Sequence, residues 1–133
     1  MPTAQLRSLL IFFGDRMKDE PCTREVLRGA HALMTGYGSL VSQSGSDSCA
    51  QSAAILIAAV LKDVHVQSLA LTDRRHAYEL MQWAAANPEL PGEVICAGFA
   101  RGFAQCMDGE RDPRNLMLCF AIIPSILASF VTT

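Results

Sequence analysis

The chain has 133 residues, a mass of 14.4 kDa and a net charge of −2, from 11 Lys plus Arg against 13 Asp plus Glu. That size suits one domain or a few repeat units, and the charge balance excludes a generally basic nucleic-acid binder, whose phosphate contacts need surplus positive charge. Half of the residues are hydrophobic and only 18% are charged, which excludes a disordered chain, because apolar surface is ample to offset chain entropy.

Alanine and leucine supply 33 of the residues, and both lose little rotamer freedom in a helix, so the expected fold class is all-α. The first predicted helix covers about residues 4–18, where Leu6, Leu9, Leu10, Phe13 and Met17 recur at i, i+3, i+4 spacing and form one apolar stripe. The turn Asp19-Glu20-Pro21-Cys22 follows. The second helix is predicted over 23–35, with Thr23 as its N-cap and Gly36 as its stop. Its apolar face is Val26, Leu27, Ala30, Leu33 and Met34, and its polar face is Arg24, Glu25, Arg28 and His31. Residues 36–48, rich in glycine and serine, read as a surface loop.

The third helix, over 49–63, is apolar on nearly every side and is expected to be buried all round. The fourth covers 72–86. Ala77, Leu80, Met81 and Ala84 form its stripe, and Arg74, Arg75, Tyr78, Glu79 and Gln82 lie opposite. Asn87-Pro88 and Pro91-Gly92 end it. The fifth, over 93–107, carries Ile95, Phe99, Phe103 and Cys106 on one side, and Gly98 and Gly102 on a face that a neighbouring helix can approach. The sixth opens with Asp112 as N-cap and Pro113 at the first helical position. It runs toward Phe130, with Pro124 expected to kink or split it.

The odd helices begin near residues 4, 49 and 93, a recurrence of about 45 residues that matches the HEAT or armadillo period. The chain therefore reads as a single HEAT-like α-solenoid segment over 1–133, with three antiparallel helix pairs at about 4–36, 49–87 and 93–131. Solenoids bind partners through extended surfaces built from successive repeats and need no catalytic constellation.

No constellation of that kind emerges from the residues. Cys22, Cys49, Cys96, Cys106 and Cys119 are scattered and odd in number, so they read as small buried hydrophobes. Cys96 and Cys106 lie about 15 Å apart along one helix, too far to share a metal. His31, His65 and His76 fall in different segments with no ligand at metal spacing. No metal or cofactor is expected. The stretch LMLCFAIIPSILASFV, residues 116–131, is shorter than the roughly 20 residues a membrane crossing needs, and it reads as a repeat helix with one face lacking a neighbour. The N-terminal apolar run is too short for a signal-peptide core, which implies an intracellular protein. Asp108–Asn115 reads as a tight inter-helix turn. Its charges, Asp108, Glu110, Arg111 and Arg114, are the candidate partner contacts, together with Arg74 and Arg75.

Three stretches carry a family resemblance. They are Phe12-Phe13-Gly14-Asp15-Arg16-Met17-Lys18-Asp19; Val64-His65-Val66-Gln67-Ser68-Leu69 followed by Asp73-Arg74 and Tyr78; and Gly102-Phe103 followed by Met107-Asp108-Gly109-Glu110-Arg111-Asp112-Pro113-Arg114-Asn115-Leu116. In this order and spacing the chain resembles the N-terminal part of the MMS-nineteen family, over about residues 9–120. The resemblance implies a HEAT-repeat scaffold of the cytosolic iron–sulfur targeting complex, working in nucleus and cytoplasm. Its partners would be targeting-complex subunits and apo-proteins of DNA replication, repair and transcription, with no direct nucleic-acid or membrane contact and no chemistry of its own. Family members are much longer, so the resemblance also implies a fragment or short form. A different HEAT-type scaffold, for transcription or transport, satisfies the periodicity equally, and a small helical enzyme would need a converging polar pocket.

Overall fold

The computed structural model describes residues 3–43, 49–87 and 98–127. Among them lie six α-helices and no strand: α1 (Thr3–Arg16), α2 (Thr23–Gln43), α3 (Cys49–Asp63), α4 (Leu71–Ala85), α5 (Phe99–Met107) and α6 (Pro113–Ile126). Single 3-10 turns at Glu20–Cys22 and Val66–Ser68 precede α2 and α4. The helices stack in two layers. In one, α3 lies between α1 and α5; in the other, α4 lies between α2 and α6. Consecutive helices pair across the layers, so the fold is an all-α, HEAT-like solenoid.

The apolar stripes read from the sequence supply the core. Leu6, Leu10 and Met17 of the first pair, Leu27 and Ala30 of α2, and Leu80, Met81 and Ala84 of α4 are fully or almost fully buried. Each large aliphatic side chain taken out of water in this way contributes about 1.5–3 kcal/mol. Leu61 of α3 lies against Gly102 of α5, the close approach that the small face of α5 allows, whereas among the described residues nothing lies within 4 Å of a side-chain carbon added at Gly98. The first part of the predicted fifth helix, residues 93–97 with Ile95 and Cys96, lies outside the described residues, as does the predicted end of the sixth beyond residue 127.

Several expectations are corrected. The second helix does not stop at Gly36. It runs to Gln43 and takes in the first eight residues of the predicted loop. Tertiary packing overrides the glycine signal there: Val41 is fully buried, and Gly38 sits so close to Trp83 that an added Cβ would stand 2.6 Å from the indole nitrogen. Thr23 is not the N-cap of α2, because the 3-10 turn before it runs straight into the helix. Its hydroxyl instead donates back to the carbonyls of Asp19 (3.1 Å) and Met17 (3.4 Å). α3 is not covered on every side, since Ile55 is half exposed. α6 continues through Pro124 to Ile126. Pro124 is on the exposed side of the helix, where a carbonyl deprived of its amide partner can be hydrated. Among the described residues no helix is long and apolar enough to cross a membrane.

Candidate functional site

The turn between α5 and α6 is built from the inside out. Gly109 adopts φ +94°, a left-handed conformation that side chains disfavour, and this lets the backbone reverse after α5. The reversal points Glu110 inward, with a side chain 0% exposed. Asp112 then caps α6 by accepting from the backbone N–H groups of Arg114 (3.0 Å) and Asn115 (3.1 Å), with Pro113 at the first helical position. The cap and proline expected from the sequence are both present.

Glu110 anchors a buried polar junction joining the second and third helix pairs. Arg74 of α4 grips it with two guanidinium nitrogens, Nε to Oε1 at 3.0 Å and Nη2 to Oε2 at 3.3 Å, while Nη1 donates to the Leu69 carbonyl at 2.8 Å. The Tyr78 hydroxyl donates to Glu110 Oε1 at 2.8 Å, and the Asp112 amide donates to Oε2 at 3.2 Å. Gln67, from the turn before α4, donates to the Cys106 carbonyl at 2.7 Å and to the Tyr78 oxygen at 2.9 Å. Burial alone would raise the Glu110 carboxyl above its ordinary 4.5. The hydrogen bonds from Tyr78, Arg74, Asp112 and Gln67 outweigh it and hold the group down at about 2. Burial, followed by the Glu110 contact, pushes the Tyr78 hydroxyl well above its ordinary range. Burial also raises the Cys106 thiol to about 11 and the Cys119 thiol to about 12. Thiols held protonated in this way are poor nucleophiles and poor metal ligands.

A second polar cluster joins α2 to α4. Asp73 is 1% exposed and takes Arg28 Nε at 3.0 Å, with Arg24 Nε at 3.5 Å. His31 lies 2.9 Å from Glu79, which also has Arg75 Nε at 3.8 Å. The predicted polar face of α2 is thus the face that meets α4.

The six candidate contact residues are divided by this geometry. Arg74 and Glu110 are brought together and turned inward. Arg75 belongs to the α2–α4 cluster. Asp108, Arg111 and Arg114 remain exposed on the turn, with Arg114 Nε 3.8 Å from Asp112. Tyr78 does not lie on a solvated face as its helix position suggested; it is fully buried. Gln67, Asp73, Tyr78 and the pair His31 and His76 are structurally important residues whose contacts the sequence does not reveal. The only sequence signal for them is that Gln67, Asp73 and Tyr78 fall inside the second resembling stretch.

The turns joining α1 to α2, α3 to α4 and α5 to α6 share one edge of the solenoid and leave two open grooves between them. One, of about 710 Å³, lies between the first two turns and is lined by Lys18, Asp19, Pro21, Cys22, Asp63 and His65. The other, of about 630 Å³, lies between the second and third and includes His65, Gln67, Lys62, Gln105 and Asp108. His65 stands between the two. Among the described residues no three His, Cys, Asp or Glu side chains are placed to hold a metal ion.

The family described as Dos2-interacting transcription regulator of RNA-Pol-II matches residues 1–133. Proteins named MMS19 nucleotide excision repair protein homolog are similar throughout: 34% identity over 125 residues in Xenopus tropicalis, 35% over 130 in Danio rerio and 32% over 121 in Homo sapiens. These alignments take in 92%, 92% and 90% of this chain but 11% of each relative, so the chain spans about a tenth of the length of the curated relatives it matches. No solved structure matches the chain.

Proposed function

The chain belongs to the MMS19 family, and from that premise we propose that it is a non-enzymatic scaffold segment that holds protein partners along its turn edge. The observation that carries this reading is the pair of open grooves on that edge, flanking His65 and bounded by a third turn fixed through Glu110. A partner laid across repeats needs an extended surface whose shape is set in advance, because ordering it on binding would cost affinity. In this reading Asp108, Arg111, Arg114 and Arg75 contact partners, and Arg74 and Glu110 act by holding the turn that presents them.

The partners are apo-proteins that await iron–sulfur clusters, and the subunits that deliver those clusters to them. This finer assignment rests on the family resemblance of the three sequence stretches. The names of the relatives, nucleotide excision repair proteins, and the description of the family as a transcription regulator support clients in repair and transcription. Work in the nucleus and the cytoplasm follows from such clients. Contact with nucleic acid runs through the clients, since the chain has a net charge of −2.

An affinity pull-down with the tagged 133-residue chain from a matching cell extract, read by mass spectrometry, tests the proposal. Iron–sulfur clients or targeting subunits are expected in the eluate. Recovery of neither, from a chain shown to be helical by circular dichroism, would sink it.

A further inference from the structure

His31 of α2 and His76 of α4 stack face to face, with ring centroids 4.2 Å apart and planes 29° from parallel. Both side chains are about three-quarters covered, at 24% and 22% exposed. His31 Nε2 lies 2.9 Å from Glu79 Oε1. His76 Nδ1 is buried 3.9 Å from Asp73 Oδ1 and makes no hydrogen bond. The charged groups around the pair are Arg24 and Arg28 on α2 and Asp73, Arg75 and Glu79 on α4. None of these belongs to the helices packed behind them, α1, α3 and α6.

The charge count in this seam is unfavourable to protonation. Three guanidinium groups already face two carboxylates, and both carboxylates are engaged: Asp73 by Arg28 and Arg24, Glu79 by His31 and Arg75. The His31 ring nitrogen already occupies Glu79 Oε1, at 2.9 Å. A second proton, on His76, would set two stacked cations against each other, and Asp73 and Glu79, already shared with guanidinium groups, offset that repulsion and the burial only in part. The joint between the first and second helix pairs rests chiefly on two contacts, α1 against α3 and α2 against α4, with a smaller one between α2 and α3. The first brings Gly14 of α1 against Leu56 of α3; the second contains the stack.

We propose that the His31–His76 stack is a pH-responsive clasp between the first two helix pairs, closed while His76 is neutral and loosened when both rings are protonated. The α1–α3 contact then serves as the hinge, and the angle between the first two repeats becomes free to change. Burial first, and the His31 charge second, hold His76 below its ordinary 6.5, in keeping with this geometry. The sign follows from proton linkage. As pH falls below 6.5 the unfolded chain takes up the proton and the folded chain resists, so folded stability declines until the folded His76 is itself protonated. The Glu110 junction responds in a separate, lower window, between 4.5 and about 2.

NMR titration of the imidazole protons of the 133-residue chain tests the clasp, together with urea unfolding at several values between about pH 7 and pH 5. His76 should titrate below 6.5, and His31→Gln should move its midpoint upward. The cross-peak between the two rings should vanish as His76 titrates. The stability lost on acidification should shrink in His76→Gln. A His76 midpoint at or above the ordinary value, one unmoved by His31→Gln, or a ring-to-ring cross-peak that survives full protonation would each overturn the proposal. The NMR arms read local geometry and stand even where a variant is less stable.

Discussion

Glu110 is the residue on which the third turn depends. Its carboxylate takes hydrogen bonds from an arginine, a tyrosine, a backbone amide and a glutamine, and its side chain is fully buried. Removing one partner of a buried charge pair leaves the other uncompensated, at a cost of roughly 3–5 kcal/mol. Arg74 keeps some solvent contact, so Glu110→Gln is expected near the low end, about 3 kcal/mol, read as a lower urea midpoint. Tyr78→Phe removes the hydrogen bond to the ionised Glu110 and the one accepted from Gln67, but leaves no charge unpaired, and should cost less, about 1.5–3 kcal/mol. The pH dependence has a definite sign. The folded carboxyl titrates at about 2 and the unfolded one near 4.5, so its contribution is intact above 4.5 and is lost as pH falls toward 2. Acid unfolding of the parent chain should therefore steepen across that window, and in Glu110→Gln the slope there should flatten. Glu110 and Arg74 were both visible in the sequence as charges in notable stretches, but their union was not. They are 36 positions apart, and no local periodicity reports a contact across a turn of another repeat. Tyr78 was misplaced for the same reason, because a tyrosine belongs in a core only when something reaches its hydroxyl, and that acceptor comes from the third unit.

Among the elements, those bounded by local chemistry were legible and those bounded by tertiary contact were not. α3 spans Cys49–Asp63, the bounds read from the sequence around its apolar run at 53–61. α6 begins where Asp112 and Pro113 say it should, since a cap and a first-turn proline act within a few residues. α2 overran its predicted stop because Gly38, two residues past the exposed Gly36, packs on Trp83, which lies far along the chain. Two substitutions test the third turn as an element. Asp112→Ala removes both capping bonds and should cost about 1 kcal/mol. Gly109→Ala forces a side chain into φ +94° and should cost about 1–2 kcal/mol. Thermal unfolding reads both, and a Gly109→Ala chain as stable as the parent would contradict the left-handed turn. The polar face of α2 was legible as a face, but its direction was not, because arginine and histidine sit equally well in water or over a buried aspartate.

At the scale of the whole molecule the repeat period carried the architecture. The recurrence read at residues 4 and 49 meets the starts of α1 and α3, the third expected start at 93 lies outside the described residues, and the two layers follow from stacking units that cannot bury their apolar faces alone. The same logic explains the outer side of α6, where Met117 is 71% exposed and Phe120 is 58% exposed while Cys119, Ile122 and Ile126 are buried. An apolar face of this kind is prone to associate with its like. The 133-residue chain should therefore self-associate at high concentration, and Met117→Lys with Phe120→Lys should return it to monomer in sedimentation experiments. The turn edge was the least legible feature. Its three turns were each readable, but the grooves between them are properties of neighbouring repeats and not of any segment. That edge is also where the functional account is most exposed to disproof. The most direct measurement compares partner recovery by the parent chain and by one carrying Asp108→Lys, Arg111→Glu and Arg114→Glu. These side chains are solvent-facing, so the variant should keep its helical signal and its unfolding midpoint while losing the partners that the parent retains. Undiminished recovery of the same partners by the folded variant would contradict the assignment of this edge as the docking surface.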